Sequence, residues 1–511
     1  MNPDNKNSQR IAKNTVILFG RMIVLLLVGL YTSRVLLEAL GFEDYGIYCA
    51  IGGFVALFTL ISGQLSAAIG RFLTYYLGTG DEEKLIKVFS TSVNVQIIFS
   101  ATAIVLAESI GIWFFHNKLD IPETRIYAAM WVYQLSILSF CVNLISVPYN
   151  AAIVAHEKMS TFAYISILEV ILKLCIVFIV LKSSNDALIT YAVLMLIVAV
   201  GIRFVYGIYC KKKFKECSYH VIFDKKLFCE MVRFSSWNFF GSAATLFMSQ
   251  GINVLMNVFF GVVANAASGI ATQLNAVLEN FVNNFTTAVN PQITKSYAKN
   301  DFDYMHKLVI KGALFSFYLF FFISLPLFIE AKQILDLWLK NVPPFAVLFL
   351  RLTIINNIIR VFGRTMITAI LATGNIKKYQ LSIGSIGFVA LPVVYILYKM
   401  GLPVYWGYIV DIIAYSLFLL VRLRLCGSLI GLSGRLFFKE VLVKAAFVAL
   451  VCTPLPCYLF YIMEESLGRL CVVSVASVIV CCSFIYLVGI SKDERLIVQN
   501  KMKNIFGRLK K

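Results

Sequence analysis

The chain has 511 residues, 59% of them apolar and 14% charged, with a mean hydropathy of +0.81 and a formal charge of +19. Soluble domains average roughly 45–50% apolar and about 25% charged residues, which excludes a soluble multidomain enzyme and a disordered chain. Twelve cysteines include no C-x-x-C pair, and His116, His156, His220 and His306 fall singly in separate polar connections, so spacing predicts neither a disulfide framework nor a metal site.

A bilayer-crossing helix needs about 20 mostly apolar residues. Fourteen such runs follow in chain order: 15–37, 46–68, 89–114, 125–147, 161–181, 187–209, 234–257, 266–288, 309–330, 345–370, 379–399, 403–421, 441–462 and 470–490. They predict an all-α polytopic membrane protein with no room for a sizeable soluble domain. The first run follows Lys6, Arg10 and Lys13 and has no small-residue cleavage site after it, so it is expected to be retained. With the N-terminus in the cytoplasm, the loops on that side hold 29 Lys and Arg against 6 on the other. This positive-inside bias places both termini in the cytoplasm, and the +19 then reports topology rather than nucleic-acid binding. In the tail 491–511, Val498, Met502, Ile505 and Leu509 step by 4, 3 and 4 among Lys501, Lys503, Arg508, Lys510 and Lys511. That pattern predicts a basic amphipathic helix in the headgroup layer.

The second half echoes the first. Phe19-Gly20 is followed by Gly41 at nearly the spacing with which Phe240-Gly241 is followed by Gly261. Thr74, Asp81 and Lys87 match Thr294, Asp301 and Lys307 at an offset of 220, and Ile153-Val154-Ala155 echoes Ile370-Leu371-Ala372. Six helices per copy is an even number, so both copies run in the same sense, as in the parallel repeats of two-lobed carriers. The expected organisation is a six-helix lobe over 1–210, a second over 211–430, two additional helices over 431–490, and the tail. Helices 1, 2, 7 and 8 are expected to line the space between the lobes.

The segments Asn14-Thr-Val-Ile-Leu-Phe-Gly20, Leu36-Leu-Glu-Ala-Leu-Gly41-Phe-Glu-Asp-Tyr45-Gly46-Ile-Tyr48 and Pro148-Tyr-Asn-Ala-Ala-Ile-Val-Ala-His-Glu157-Lys158 resemble the polysaccharide synthesis family. Its members are Wzx-type oligosaccharide flippases of the multidrug/oligosaccharidyl-lipid/polysaccharide (MOP) exporter superfamily. The resemblance implies movement of an undecaprenyl-diphosphate-linked oligosaccharide across a bacterial inner membrane. It also implies lipids, a polysaccharide polymerase and export machinery as partners, and no cofactor.

Ionisable residues inside spans are costly and mark cavities or pathways. Glu169 and Lys173 lie at i,i+4, which suits either an intrahelical ion pair or a coupling site. In the tenth span Thr353, Asn356, Asn357, Arg360 and Arg364 form one polar face, from which Arg351 is turned away by helical geometry. The seventh carries Asn238, Ser242, Thr245, Ser249, Asn253 and Asn257, and the eighth Gln273, Glu279, Asn280, Asn283, Asn284 and Thr287. Such faces predict a hydrated lumen. Arginine forks suit phosphate, and amides suit sugar hydroxyls. The expected substrate residues are Arg21, Arg34, Asn253, Asn280, Asn356, Asn357, Arg360 and Arg364. The expected ion-coupling residues are Glu169, Lys173, Glu279 and Asp411. A cation-coupled drug antiporter of the same superfamily would rely on Glu279 and Asp411. A membrane-embedded glycan polymerase or ligase would need paired acids in an outer loop, and 331–345 offers only Asp336 with Lys340 and Trp338. No catalytic residue is expected.

Overall fold

The computed structural model describes residues 3–489 and 495, apart from 114, 116–120, 184–185, 221, 223 and 340. The tail expected at 491–511 lies outside them except for Arg495, as does His116. The described chain is helical with no strand: α1 Pro3–Thr79, α2 Glu82–Leu106, α3 Ile126–Ala155, α4 Met159–Leu181, α5 Ala187–Lys213, α6 Lys225–Ala298, α7 Phe302–Ile329 and α8 Ala331–Trp338. There follow α9 Ala346–Phe362, α10 Arg364–Thr373, α11 Lys377–Lys399, α12 Trp406–Ile430, α13 Gly434–Phe437, α14 Lys444–Cys452, α15 Pro454–Ile462 and α16 Leu467–Phe484. Helices bond their backbone internally, and a bilayer offers no other partner for it.

Eleven helical stretches among the described residues are long and apolar enough to cross a membrane. The other three expected runs, 46–68, 266–288 and 403–421 (the last from Trp406 on), are helical but are not among those eleven. The all-α, multi-pass architecture stands, although the eleven do not confirm a count of fourteen. Helix starts follow the sequence: the Asp81 carboxylate accepts from the Lys84 N–H at 3.0 Å, Asp186 from Leu188 and Ile189 at 3.1 Å each, and Asp224 from Leu227 at 3.0 Å.

The repeat is written into the backbone. Both long helices bend at a glycine, Gly41 (φ 73°, ψ 174°) in α1 and Gly261 (φ 77°, ψ −175°) in α6. This region of backbone space is open essentially to glycine alone. Positive φ also recurs at Gly80 and Asn300, and at Glu157 and Gly374. All three pairs keep, exactly or nearly, the offset that relates Asp81 to Asp301, so each copy turns at the same places.

The chain forms two compact units, 1–239 with 287–301, and 240–286 with 302–511. The lobes expected at 1–210 and 211–430 follow the repeat along the chain, whereas α6 contributes its ends to the first unit and its middle to the second. In the first unit the Glu157 side chain is 1% exposed and gathers three donors. These are Arg10 Nε at 2.6 Å, Gln292 Nε2 at 2.6 Å and Lys295 Nζ at 2.7 Å. The start of α1, the α3–α4 turn and the end of α6 are thereby tied to one carboxylate. Elsewhere in this unit Arg125 bridges Asp44 (Nε to Oδ1, 2.8 Å) and Asp186 (Nη1 to Oδ2, 2.6 Å). In the second unit the buried Glu330 receives Arg469 at 3.0 and 3.1 Å, which fastens α16 to the α7–α8 junction. Removing one partner of such a buried pair costs about 3–5 kcal/mol.

Candidate functional site: a polar cavity in the second unit

Three helix faces of the second unit carry polar side chains at helical spacing. On α9 they are Thr353, Asn356, Asn357 and Arg360, and Arg364 follows at the first position of α10. On α6 beyond Gly261 they are Ser268, Asn275, Glu279 and Asn283, spaced by 7, 4 and 4. On α12 they are Tyr408, Asp411 and Tyr415, spaced by 3 and 4. Of these, Ser268 and Asn275, Thr353 through Arg360, and Tyr408 and Asp411 line a cavity of about 120 Å³ together with Ser249 and Asn253 from α6 before the bend.

Glu279 is the electrostatic centre. Its Oε1 lies 3.1 Å from Arg360 Nη1, and its Oε2 accepts from Arg364 Nη2 at 2.9 Å. Asn275 Nδ2 donates to Oε1 at 3.1 Å, and Asn357 donates to Asn275 Oδ1 and to the Thr353 carbonyl at 3.1 Å. Arg364 also donates to Asn283, and the Arg360 guanidinium lies 4.7 Å from the Tyr415 ring centroid. On the other side Asn356 donates to Asp411 Oδ2. Tyr408 Oη donates to Ser268 Oγ at 2.9 Å, and Ser268 donates to Asn253 Oδ1 at 2.9 Å.

The network is incomplete on both sides, since Arg364 Nε is a buried donor with no acceptor from the protein. Asn356 Oδ1, Asn357 Oδ1 and Asp411 Oδ1 are buried acceptors with no donor from the protein. Leaving a buried polar atom unsatisfied costs about 1–3 kcal/mol. These three oxygens suit a guest that donates hydrogen bonds, such as water or a hydroxyl, or a cation that they can coordinate.

Among the expected site residues, Asn253, Asn356, Asn357, Arg360, Arg364, Glu279 and Asp411 meet in this network. Asn280 does not: it is exposed, and its backbone carbonyl accepts from the Asn284 side chain. The face of α6 that enters the network runs through 275, 279 and 283, one position away. The arginines expected to present free positive charge instead share Glu279, which the fold delivers from the separate helix α6. Arg351 donates to the Phe328 and Ile329 carbonyls at 3.0 and 3.2 Å, outside the stripe. The remaining candidates belong to the first unit. Arg21 lies over the Phe162 ring at 4.6 Å, Arg34 is exposed, and Lys173 Nζ meets Glu169 Oε1 at 2.6 Å. Sequence reasoning missed Asn275, Ser268, Tyr408 and Tyr415. Asn275 was findable, since it continues the Glu279–Asn283 face at i−4.

Comparison with known proteins follows the same direction. No functionally curated protein matches the chain in sequence. Its fold is similar to that of a MATE protein crystallised in the bent conformation (TM-score 0.71, 12% identity, 87% of this chain and 100% of that one). It is also similar to an outward-facing multidrug resistance MATE family transporter of the MOP superfamily (TM-score 0.69, 13% identity, 82% and 96%). A third similar structure is a MOP superfamily transporter from Pyrococcus furiosus, whose binding pocket of reversed polarity is described as suggesting a different function (TM-score 0.68, 14% identity, 82% and 96%). The family model described as polysaccharide biosynthesis protein matches residues 11–297, more than half of the chain. This all-α, MATE-like membrane protein belongs to the polysaccharide biosynthesis protein family.

Proposed function

We propose that the protein is a flippase that moves an undecaprenyl-diphosphate-linked oligosaccharide from the cytoplasmic to the periplasmic leaflet of a bacterial inner membrane. It does so by alternating access, in surface polysaccharide synthesis. The observation that carries this reading is the amide-walled cavity with three unsatisfied acceptors and Arg360 in its lining, and with Arg364 joined to Arg360 through Glu279. Sugar hydroxyls donate to such acceptors, and guanidinium forks accept phosphate oxygens in pairs. Glu279 then holds the place of the phosphate. It meets one nitrogen of each guanidinium, and an arriving diphosphate exchanges with it, so the arginines are never left as bare buried charges. The family match to polysaccharide biosynthesis supports the same cargo.

A cation-coupled antiporter is the second reading. Asp411, with Asn356 as its donor and a free second oxygen, is the feature that favours it. Native mass spectrometry of the purified protein separates the two. Retention of a polyprenyl-diphosphate glycan that is lost in Arg360→Ala supports the flippase. Retention of an organic cation that is lost in Asp411→Asn overturns it.

A further inference from the structure

A second cavity, about 440 Å³, lies wholly within the first unit. It is framed by the end of α1, the start of α2, the α3–α4 turn and the residues after α5. The turn His156-Glu157-Lys158 is locked by the buried Glu157, whose φ of 58° is costly for a residue with a side chain. With Glu157 pulled inward, its neighbours His156 and Lys158 both line the cavity, and Lys213 and Lys215 join them from the other side.

Two carboxylates, Glu82 and Glu216, also line the cavity, and each has a basic neighbour. His156 stacks on Phe214 with centroids 4.0 Å apart and planes at 10°, and its Nε2 meets the Glu216 carboxylate beneath. Burial pushes that carboxyl up, but the hydrogen bond and charge of His156 together with a backbone hydrogen bond outweigh it and hold Glu216 below its ordinary value. Lys215 has Glu82 at 3.8 Å, with both side chains exposed. Lys158 and Lys213 are exposed and enter no ion pair among the described residues. Leu77, Leu85 and Ile86 supply an apolar wall next to these cations. Free cations beside an apolar wall, at the ends of membrane-crossing helices, match a phosphate that carries hydrocarbon chains. A soluble anion has no use for the wall.

We propose that this cavity binds the phosphate of an anionic bilayer lipid, with Lys158 and Lys213 as its charge contacts and Leu77, Leu85 and Ile86 against the chains. Basic pockets between membrane helices on the cytoplasmic side recognise such head groups, and the distribution of Lys and Arg assigns this end to that side. The site shares no residue with the second-unit cavity and does not depend on what the protein transports.

The test uses the full-length protein in nanodiscs of phosphatidylcholine with increasing phosphatidylglycerol, with bound lipid counted by native mass spectrometry. Each lysine near an anionic surface contributes about 1 kcal/mol, or roughly fivefold. The double change Lys158→Gln with Lys213→Gln is therefore expected to weaken retention of phosphatidylglycerol about 30-fold. Lys158→Arg with Lys213→Arg retains it. Lys211→Gln with Lys212→Gln removes the same charge from exposed positions outside the cavity and costs less than threefold. Equal losses in the two glutamine pairs would reduce the effect to general surface charge and overturn the site. In phosphatidylcholine alone, a rise in melting midpoint with inorganic pyrophosphate that disappears in the Lys158/Lys213 glutamine pair would make it a soluble-phosphate site and overturn the lipid assignment. A wild-type protein that retains no phosphatidylglycerol over phosphatidylcholine overturns the proposal without any variant.

Discussion

Glu279→Gln is the sharpest probe of the second-unit cavity, because one atom changes while shape is kept. The wild-type carboxylate holds Arg360 at 3.1 Å and Arg364 at 2.9 Å, with its own side chain 18% exposed. A hydrogen bond to a charged group contributes about 1.5–3 kcal/mol, and stripping one partner from a buried ion pair costs about 3–5 kcal/mol. Here Arg360 keeps the face of Tyr415 and Arg364 keeps Asn283. The arginine side chains are also 33% and 19% exposed, so the loss belongs at the lower end, on the order of 3 kcal/mol. The same substitution clears two guanidinium forks for an anion. Inorganic pyrophosphate stands in for the proposed diphosphate, and the assay is the melting midpoint of the purified protein with and without it. Without pyrophosphate the variant melts below wild type. With pyrophosphate at a hundred times its dissociation constant, mass action restores about 2.7 kcal/mol, nearly closing the gap, while wild type gains less because Glu279 competes. If pyrophosphate shifts both proteins equally, or neither, the arginines serve only as a structural cross-link and the exchange idea fails.

The other expectations concern both units. Replacing Arg360 or Arg364 with Ala should reduce glycan export about 10- to 150-fold, from a charge-assisted contact of about 1.5–3 kcal/mol. Lys at either position should recover only part of it if two-pronged phosphate binding matters, and normal export by both Ala variants would remove these residues from the path. Glu169→Gln and Lys173→Met should each lower stability or export, and the double change should recover much of the loss because no unpaired charge remains. A well-folded but inactive double variant would make the pair part of coupling. At Glu157, burial raises the carboxyl's pKa, but Lys295 and Arg10 outweigh it and hold the folded value below 4.5. Its stabilisation is therefore complete above about pH 4.5 and is lost as pH falls through the lower folded value. Between pH 6 and 3 the wild-type melting midpoint should fall more steeply than that of Glu157→Gln, and parallel profiles would show that the carboxylate does not support the fold.

What the sequence determined by itself is whatever depends on near neighbours and on the solvent. A bilayer demands internally bonded helices of a set length, so apolar runs revealed the all-α architecture. A constant offset revealed the repeat, and the bends at Gly41 and Gly261 gave it backbone form. Glu169 and Lys173 were legible because their i,i+4 spacing brings two side chains to one helix face. The polar stripe of α9 was legible for the same reason. Tertiary structure decided what answers that stripe. Arg360 and Arg364 look like free cations along the chain, and only packing brings Glu279 across from α6 to occupy both. Packing also brought Asn275 from α6, and Tyr408 and Asp411 from α12, to the same cavity. The turn at Glu157 reads as a plain polar connection until Arg10, from the start of α1, and Lys295, from the end of α6, meet its carboxylate. Periodicity sees one helix at a time, whereas a charge buried among several helices is compensated by whichever side chains the fold delivers there.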